Sequence, residues 1–187
     1  LTGTDEHGLK IQRSAEKLNK DPKSFCDEIS KTFEDLTKTL NLSNNYLGGN
    51  FASKLSISLR KNKILSDLDI SNNDIKSHAG QLLTHALEGF HVNRLNLSEN
   101  SIGGEAGNLL ATSLKKNKSL TSLDISRNSL GTAATKSILN SLGENDSLIQ
   151  LDLTKNGAGP DALKYLGKAL KNNSTLTSLN LSRNQLG

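Results

Sequence analysis

The sequence predicts an α/β solenoid with parallel strands on its concave face and helices on its convex face, preceded by a short α-helical segment. The first observation behind this prediction is an eleven-residue phrase that recurs along the chain. Its clearest copy is LTSLDISRNSL, residues 120–130, with apolar residues at the first, fourth, sixth and eleventh places and asparagine at the ninth. The second observation is that the fourth-place leucine returns every 27 or 28 residues, at Leu40, Leu68, Leu95, Leu123, Leu151 and Leu179. A fixed period of this length is typical of stacked supersecondary units.

Each phrase is predicted to form a short strand followed by a tight turn. Leucines two residues apart lie on the same side of a strand, so both are expected to point into the core. The ninth-place asparagine is predicted to satisfy turn backbone groups that would otherwise be buried without a partner. These asparagines form one column: Asn45, Asn73, Asn100, Asn128, Asn156 and Asn184.

A helix is predicted after each turn, because apolar residues recur 11, 15 and 19 positions after the fourth-place leucine. A period of four over three positions indicates a helix face that is turned toward the strands. The residues at 15 and 19 are Leu55 and Leu59, Leu83 and Leu87, Leu110 and Leu114, Ile138 and Leu142, and Leu166 and Leu170. The residues at 11 are Phe51, Ala79, Ala106, Ala134 and Ala162.

The polar side chains of the strands and turns are the candidate binding surface, since the concave faces of such arrays commonly bind proteins. An acidic and amide column follows the leucines, beside a ledge that becomes basic toward the C-terminus. The predicted protein-binding residues are Asp69, Arg94, Asn96, Glu99, Asp124, Arg127, Asp152, Lys155, Asn180 and Arg183. The alternative is a solvated face, because interface anchors are usually Trp, Tyr or Arg and these columns carry no aromatic residue.

Composition narrows the class of protein. With 34% hydrophobic and only 3% aromatic residues, leucine and isoleucine have to form the core. The single cysteine, Cys26, allows no internal disulfide and favours a reducing compartment, so we expect the cytoplasm. No apolar run approaches the roughly 20 residues of a membrane span. The net charge of +4 is mildly basic, but the sequence lacks the dense basic stripe of a nucleic-acid surface, so we expect no nucleic-acid partner for the repeats. His78 and His85 are seven residues apart, so we expect no metal, and nothing predicts another cofactor.

From residue 37 onward, the phrases resemble leucine-rich repeat proteins of the ribonuclease-inhibitor type. The phrases that carry the resemblance most clearly are LSDLDISNNDI, VNRLNLSENSI, LTSLDISRNSL, LIQLDLTKNGA and LTSLNLSRNQL. We therefore predict that residues 37–187 form an array of about five and a half repeats of 27–28 residues. The resemblance implies a non-catalytic scaffold for protein–protein interaction, with an unknown protein partner. Ribonuclease inhibition is a weaker hypothesis, by analogy of fold alone.

Residues 1–36 do not follow the repeat. Two stretches, TGTDEHGLKIQ from Thr2 and DPKSFCDEIS from Asp21, closely resemble methionyl-tRNA synthetases, and apolar spacing predicts two helices in this segment. In that family, the aspartate that matches Asp5 is expected to contact the amino group of methionine. The resemblance implies an alternative function in tRNA aminoacylation, with methionine and ATP as ligands and tRNA as a partner.

The synthetase resemblance covers only a small part of an enzyme. No HIGH-type or KMSKS-type motif is present, and one cysteine cannot form a zinc knuckle. We therefore expect a synthetase fragment that is fused to repeats and inactive as it stands, which methionine-dependent pyrophosphate exchange would test. We also expect the segment to cap the first repeat with Phe25, Ile29, Phe33 and Leu36, and further repeats to follow residue 187, because no polar capping repeat is visible.

Overall fold

Short strands alternate with helices throughout residues 38–187, the part of the chain that this computed structural model describes. The strands in this range are β1 (Thr39–Asn41), β2 (Asp67–Asp69), β3 (Arg94–Asn96), β4 (Ser122–Asp124), β5 (Gln150–Asp152) and β6 (Ser178–Asn180). The α-helices are α1 (Gly48–Lys61), α2 (Lys76–Ala86), α3 (Gly103–Lys116), α4 (Gly131–Ser141) and α5 (Leu166–Asn172). The helices predicted within residues 1–36 lie outside the described residues.

The six strands form one parallel sheet, in the order in which they occur in the chain. The fourth-place leucine of each strand lies opposite that of the next, from Leu40 and Leu68 at one end to Leu151 and Leu179 at the other. Neighbouring helices need about 8–10 Å each, whereas neighbouring strands need only about 4.8 Å. The array therefore curves toward its strands, and the predicted solenoid is confirmed.

One apolar seam runs between the strand layer and the helix layer. The four central strands contribute Leu68, Leu95, Leu123 and Leu151, which are at most 4% exposed, and the predicted stripes of α1 to α4 are equally buried. The stripe predicted for the last helix is only partly correct, because Leu166 is half-buried and Leu170 is 41% exposed. No described element packs on the far side of α5, so these two leucines lack a neighbour there.

Adjacent helices approach closely because small residues occupy the side that faces the next repeat. A Cβ atom on Gly107 would lie 2.7 Å from the Cβ atom of Ala134, and one on Gly80 would lie 2.6 Å from the Cβ atom of Ile102. Contacts this short would force the backbone apart, so both positions require glycine for packing.

The predicted asparagine column joins neighbouring turns. The Nδ2 group of Asn100 donates to the carbonyl oxygens of Ile70, 2.9 Å away in the preceding repeat, and Leu97, 3.0 Å away in its own. Its Oδ1 atom accepts the backbone N–H of Asn73 at 2.9 Å. Three further members make equivalent contacts and, like Asn100, are at most 1% exposed: Asn73, Asn128 and Asn156. Each amide therefore closes its own turn and holds the preceding one.

A second asparagine ladder, which was not predicted, runs between the helix ends and the following strands. The Nδ2 group of Asn117 donates to the carbonyl oxygen of Leu87 at 2.5 Å, and its Oδ1 atom accepts the N–H of Leu120 at 2.7 Å. Asn145 and Asn173 make the same pair of contacts. This ladder satisfies carbonyl groups that the end of a helix leaves without a partner.

Two repeats depart from the regular geometry, the second and the fifth. The second repeat is one residue short after Leu87, and a 3-10 turn at Leu87–Gly89 closes it there. A 3-10 segment, Pro160–Tyr165, precedes the last helix, and its proline lies in the first turn, where a helix does not use the missing N–H. Across residues 38–187, no helix combines the length and the apolar character that a membrane span requires.

Candidate protein-binding face

The concave face, as we use the term, consists of three columns of outward side chains. Alternation along a strand turns the residues on either side of the fourth-place leucine away from the core. The column before the leucine contains Thr39, Asp67, Arg94, Ser122, Gln150 and Ser178. The column after it contains Asn41, Asp69, Asn96, Asp124, Asp152 and Asn180. The turn column contains Asn44, Asn72, Glu99, Arg127, Lys155 and Arg183.

Two depressions divide this face along the array. The larger has a volume of about 400 Å³ and spans β1 to β4, with Asp67, Asp69 and Arg94 among its lining residues. The smaller has a volume of about 250 Å³ and spans β4 to β6, with Asp152 and Asn180 among its lining residues. The lining of both is mainly polar side chains and strand backbone, which suits an extended protein surface better than a small apolar ligand.

Charged groups in the β1 to β3 half of the face are paired with one another. The guanidinium group of Arg94 forms an ion pair with Asp67. The hydrogen bond from Arg94, and then the bond from the Ser66 hydroxyl at 2.6 Å, hold the pKa of Asp67 below its usual value. The same pair raises the pKa of Arg94. Because the pair is largely exposed, we expect it to neutralise charge on the face rather than to stabilise the fold.

Amide groups complete the pairing in this half of the face. The Nδ2 group of Asn96 donates to Asp69 Oδ2 at 3.2 Å. In the turn column, Asn72 Nδ2 donates to Asn44 Oδ1 at 2.7 Å. Side chains of the β1 to β3 half therefore satisfy one another across neighbouring repeats.

The carboxylates of β4 and β5 differ in how completely they are satisfied. One oxygen of each aspartate supports the following turn, since Asp124 Oδ1 accepts the N–H of Ser126 at 2.9 Å and Asp152 Oδ1 accepts that of Thr154 at 2.7 Å. The other oxygen of Asp152 accepts Asn180 Nδ2 at 2.8 Å. Within residues 38–187, Asp124 Oδ2 receives no hydrogen bond, so this carboxylate keeps its full capacity to accept one from another molecule.

The turn column is basic at its C-terminal end. Arg127 lies 3.4 Å from Glu99 and forms an ion pair with it. The next two members, Lys155 and Arg183, are exposed and form no ion pair with any described residue. Two cations without an ion pair among the described residues thus lie in the repeats that follow Asp124, whose Oδ2 atom is unpaired.

The ten residues predicted for protein binding all lie in these three columns, and their binding role stays a prediction. The structure joins several of them in pairs: Asp69 with Asn96, Glu99 with Arg127, and Asp152 with Asn180. The prediction missed Asp67 and Gln150, although the same alternation that identified Arg94 places both in its column. Asp5 lies outside the described residues. Among residues 38–187, no cluster of three or more His, Cys, Asp and Glu could hold a metal ion.

Two family models match different parts of the chain. The model for class I tRNA synthetases (M) matches residues 1–77, and the model for leucine-rich repeats matches residues 90–111, 116–138 and 172–187. The chain therefore contains a leucine-rich repeat region and an N-terminal segment that resembles methionyl-tRNA synthetases. The first match extends over β1, α1 and β2, which the structure places in the same sheet and core as the later repeats.

Curated methionine–tRNA ligases match the N-terminal part of the chain alone. The Lactiplantibacillus plantarum enzyme is 61% identical over 44 residues, which are 24% of this chain and 6% of that protein. The Nostoc enzyme is 62% identical over 42 residues, 22% of this chain and 8% of that protein. The chain thus spans less than a tenth of the length of these relatives.

Solved structures share the repeat fold. The tropomodulin C-terminal domain of Caenorhabditis elegans has a TM-score of 0.65 at 17% identity, over 79% of this chain and 92% of that one. Leiomodin-1 Actin-Binding Site 2 has a TM-score of 0.55 at 18% identity, over 83% of this chain and 78% of that one. At these identities the likeness establishes the fold alone.

Proposed function

We propose that this leucine-rich repeat array is a non-catalytic scaffold for protein interaction, and that its partner binds the concave face along β4 to β6. The observation that carries the proposal is the difference between the two halves of the face. Charges near β1 to β3 are paired within the molecule, whereas Asp124 Oδ2, Lys155 and Arg183 have no partner among the described residues. Groups of this kind are available for complementary charges on another protein.

Electrostatic complementarity would give such an interface its specificity and much of its association rate. The carboxylate of Asp124 fits a basic or N–H group of the partner, and Lys155 with Arg183 fits an acidic stretch beside it. The concave face carries no aromatic side chain that could serve as an apolar anchor. We therefore expect binding to weaken as salt increases, because exposed charges are screened within about 8–10 Å at ordinary ionic strength.

Actin is the first defined partner to test, because one solved structure that shares this fold is titled an actin-binding site. That title describes leiomodin-1, so actin enters here as a probe whose binding is measured. A photoreactive residue in place of Gln150, in the depression between β4 and β6, tests for any other protein partner in a cell extract.

The decisive comparison uses charge reversals on opposite layers of the same repeats. D124K and K155E/R183E change the concave face, whereas K168E/K171E changes exposed lysines of α5 in the helix layer. We expect each concave variant to weaken binding by about tenfold or more, which corresponds to about 1.4 kcal/mol. The α5 variant should bind like the wild type. Equal loss in the α5 variant, or a partner that the Gln150 probe fails to capture, would contradict the proposal.

The synthetase-like segment supports a second candidate function, methionine binding through Asp5. Its support is the identity of 61% over 44 residues to a methionine–tRNA ligase. A single carboxylate selects methionine poorly without a surrounding pocket, and from residue 39 onward the chain forms repeats. We therefore favour the scaffold function for the chain as a whole.

A further inference from the structure

The first repeat presents a side that no other described element covers. On one side, α1 and β1 pack against α2 and β2. The other side is the one that would face a preceding unit. In later repeats, the side chains that contact the preceding repeat identify the positions on this side. Two such positions in the first repeat are occupied by Lys61 and Ile64.

The position of Lys61 forms ion pairs with the preceding unit in later repeats. The equivalent residue of the third repeat, Lys116, lies 3.1 Å from Glu88 in the second. The equivalent residue of the fourth, Glu144, lies 2.6 Å from Lys115 in the third. Lys61 is exposed at the end of α1 and forms no ion pair with a described residue.

The position of Ile64 also faces the preceding unit. In the third and fourth repeats the equivalent residues are serines. Ser119 Oγ donates to the carbonyl oxygen of Phe90 at 2.7 Å, and Ser147 Oγ donates to that of Asn117 at 3.2 Å. Ile64 cannot make this hydrogen bond, and its side chain is 56% exposed. An isoleucine at this position is therefore better suited to an apolar cover than to the hydrogen bond made in the third and fourth repeats.

The chain immediately before β1 has the matching chemistry. Residues 25–36 read FCDEISKTFEDL and carry an apolar series at helical spacing: Phe25, Ile29, Phe33 and Leu36. The same stretch carries four acidic residues: Asp27, Glu28, Glu34 and Asp35. Only two residues separate Leu36 from β1, so this stretch is covalently held beside the first repeat.

We propose that residues 25–36 cover the first repeat, with their apolar series against Ile64 and with Glu34 and Asp35 beside Lys61. The segment that resembles methionine–tRNA ligases thereby acts as the N-terminal cap of the repeat array. Without such a cover, the first repeat would expose its apolar edge to solvent. Terminal repeats of solenoids generally avoid such exposure. This role is independent of the concave face, because Lys61 and Ile64 lie outside its three columns.

A double-mutant cycle on the full chain tests the charge pairing. K61E and E34K/D35K should each lower the midpoint of urea unfolding, and the two together should recover at least about half of the summed loss. The matched control combines E34K/D35K with K168E/K171E, exposed lysines at the far end of the array, and its effects should add. Additive effects in the first cycle as well would overturn the pairing.

A second pair of variants tests the apolar contact. Ile57 is 64% exposed at a position where later repeats carry the exposed residues His85, Thr112, Asn140 and Lys168, so it faces solvent. I64Q should lower the melting temperature by about 3 °C or more, whereas I57Q should leave it within about 1 °C. Equal and small shifts for the two variants would overturn the proposed cover of Ile64.

Discussion

Replacing Asn128 with alanine is expected to lower the free energy of unfolding by about 3–5 kcal/mol, because buried backbone groups lose their partners. The side chain of Asn128 is fully buried. Its Nδ2 group donates to the carbonyl oxygens of Leu97 at 2.9 Å and Ile125 at 3.2 Å. Its Oδ1 atom accepts the N–H groups of Asn100 at 3.1 Å and Ile102 at 3.3 Å. Urea unfolding followed by circular dichroism measures the loss.

The matched control for this substitution is Asn72→Ala. Asn72 is exposed, and its side chain donates one hydrogen bond, to Asn44 at 2.7 Å. Its replacement should cost only about 1–2 kcal/mol, which comes mainly from the φ of 50° that asparagine adopts more readily than alanine. If Asn128→Ala were as mild as Asn72→Ala, the asparagine column would not be holding adjacent turns together.

Replacing Leu123 with alanine is expected to cost about 3–5 kcal/mol, because it opens a cavity at the centre of the apolar seam. Leu123 is 1% exposed, and its neighbours in the sheet are Leu95 and Leu151. The equivalent change in the last strand, Leu179→Ala, should cost less than half as much, since Leu179 is only partly buried and has one strand beside it. Thermal and urea unfolding of both variants measure the difference.

The comparison between these two leucines separates a stacked array from a compact core. In an array, each repeat contacts its nearest neighbours, so an internal substitution weakens two interfaces and a terminal one weakens a single interface. Equal losses for Leu123→Ala and Leu179→Ala would contradict the stacked arrangement.

The repeat core was predictable because its physical requirements are periodic. Inward leucines, helix stripes and turn asparagines recur at fixed intervals, and the structure places Leu68, Ile138 and Asn100 in the predicted roles. The Asn117 ladder was not predicted, because this asparagine lies in a lysine-rich connector whose composition indicates a solvated loop. Its burial depends on the helix end of the preceding repeat, a neighbour that local pattern does not identify.

The sequence pattern also did not predict which charged groups of the concave face are paired with one another. The columns could be listed in advance, but whether Arg94 is free depends on its distance from Asp67 in the adjacent strand. Similarly, Asp124 and Asp152 occupy the same place in the phrase. Their hydrogen bonding differs because the strand beside Asp152 carries Asn180, whose amide donates to it. Pairing of this kind follows from the register between repeats, which the structure supplies.

Amide hydrogen exchange, resolved by residue, tests the stacked sheet most directly. The N–H group of Leu97 donates to the Asp124 carbonyl at 2.8 Å, that of Ile125 to Asp152 at 3.1 Å, and the equivalent group of Leu153 to Asn180. The corresponding N–H of Leu181 has no described strand beyond it. We expect slow exchange at Leu97, Ile125 and Leu153, and fast exchange at Leu181. Fast exchange at all four positions would contradict the parallel stack on which the proposed binding face depends.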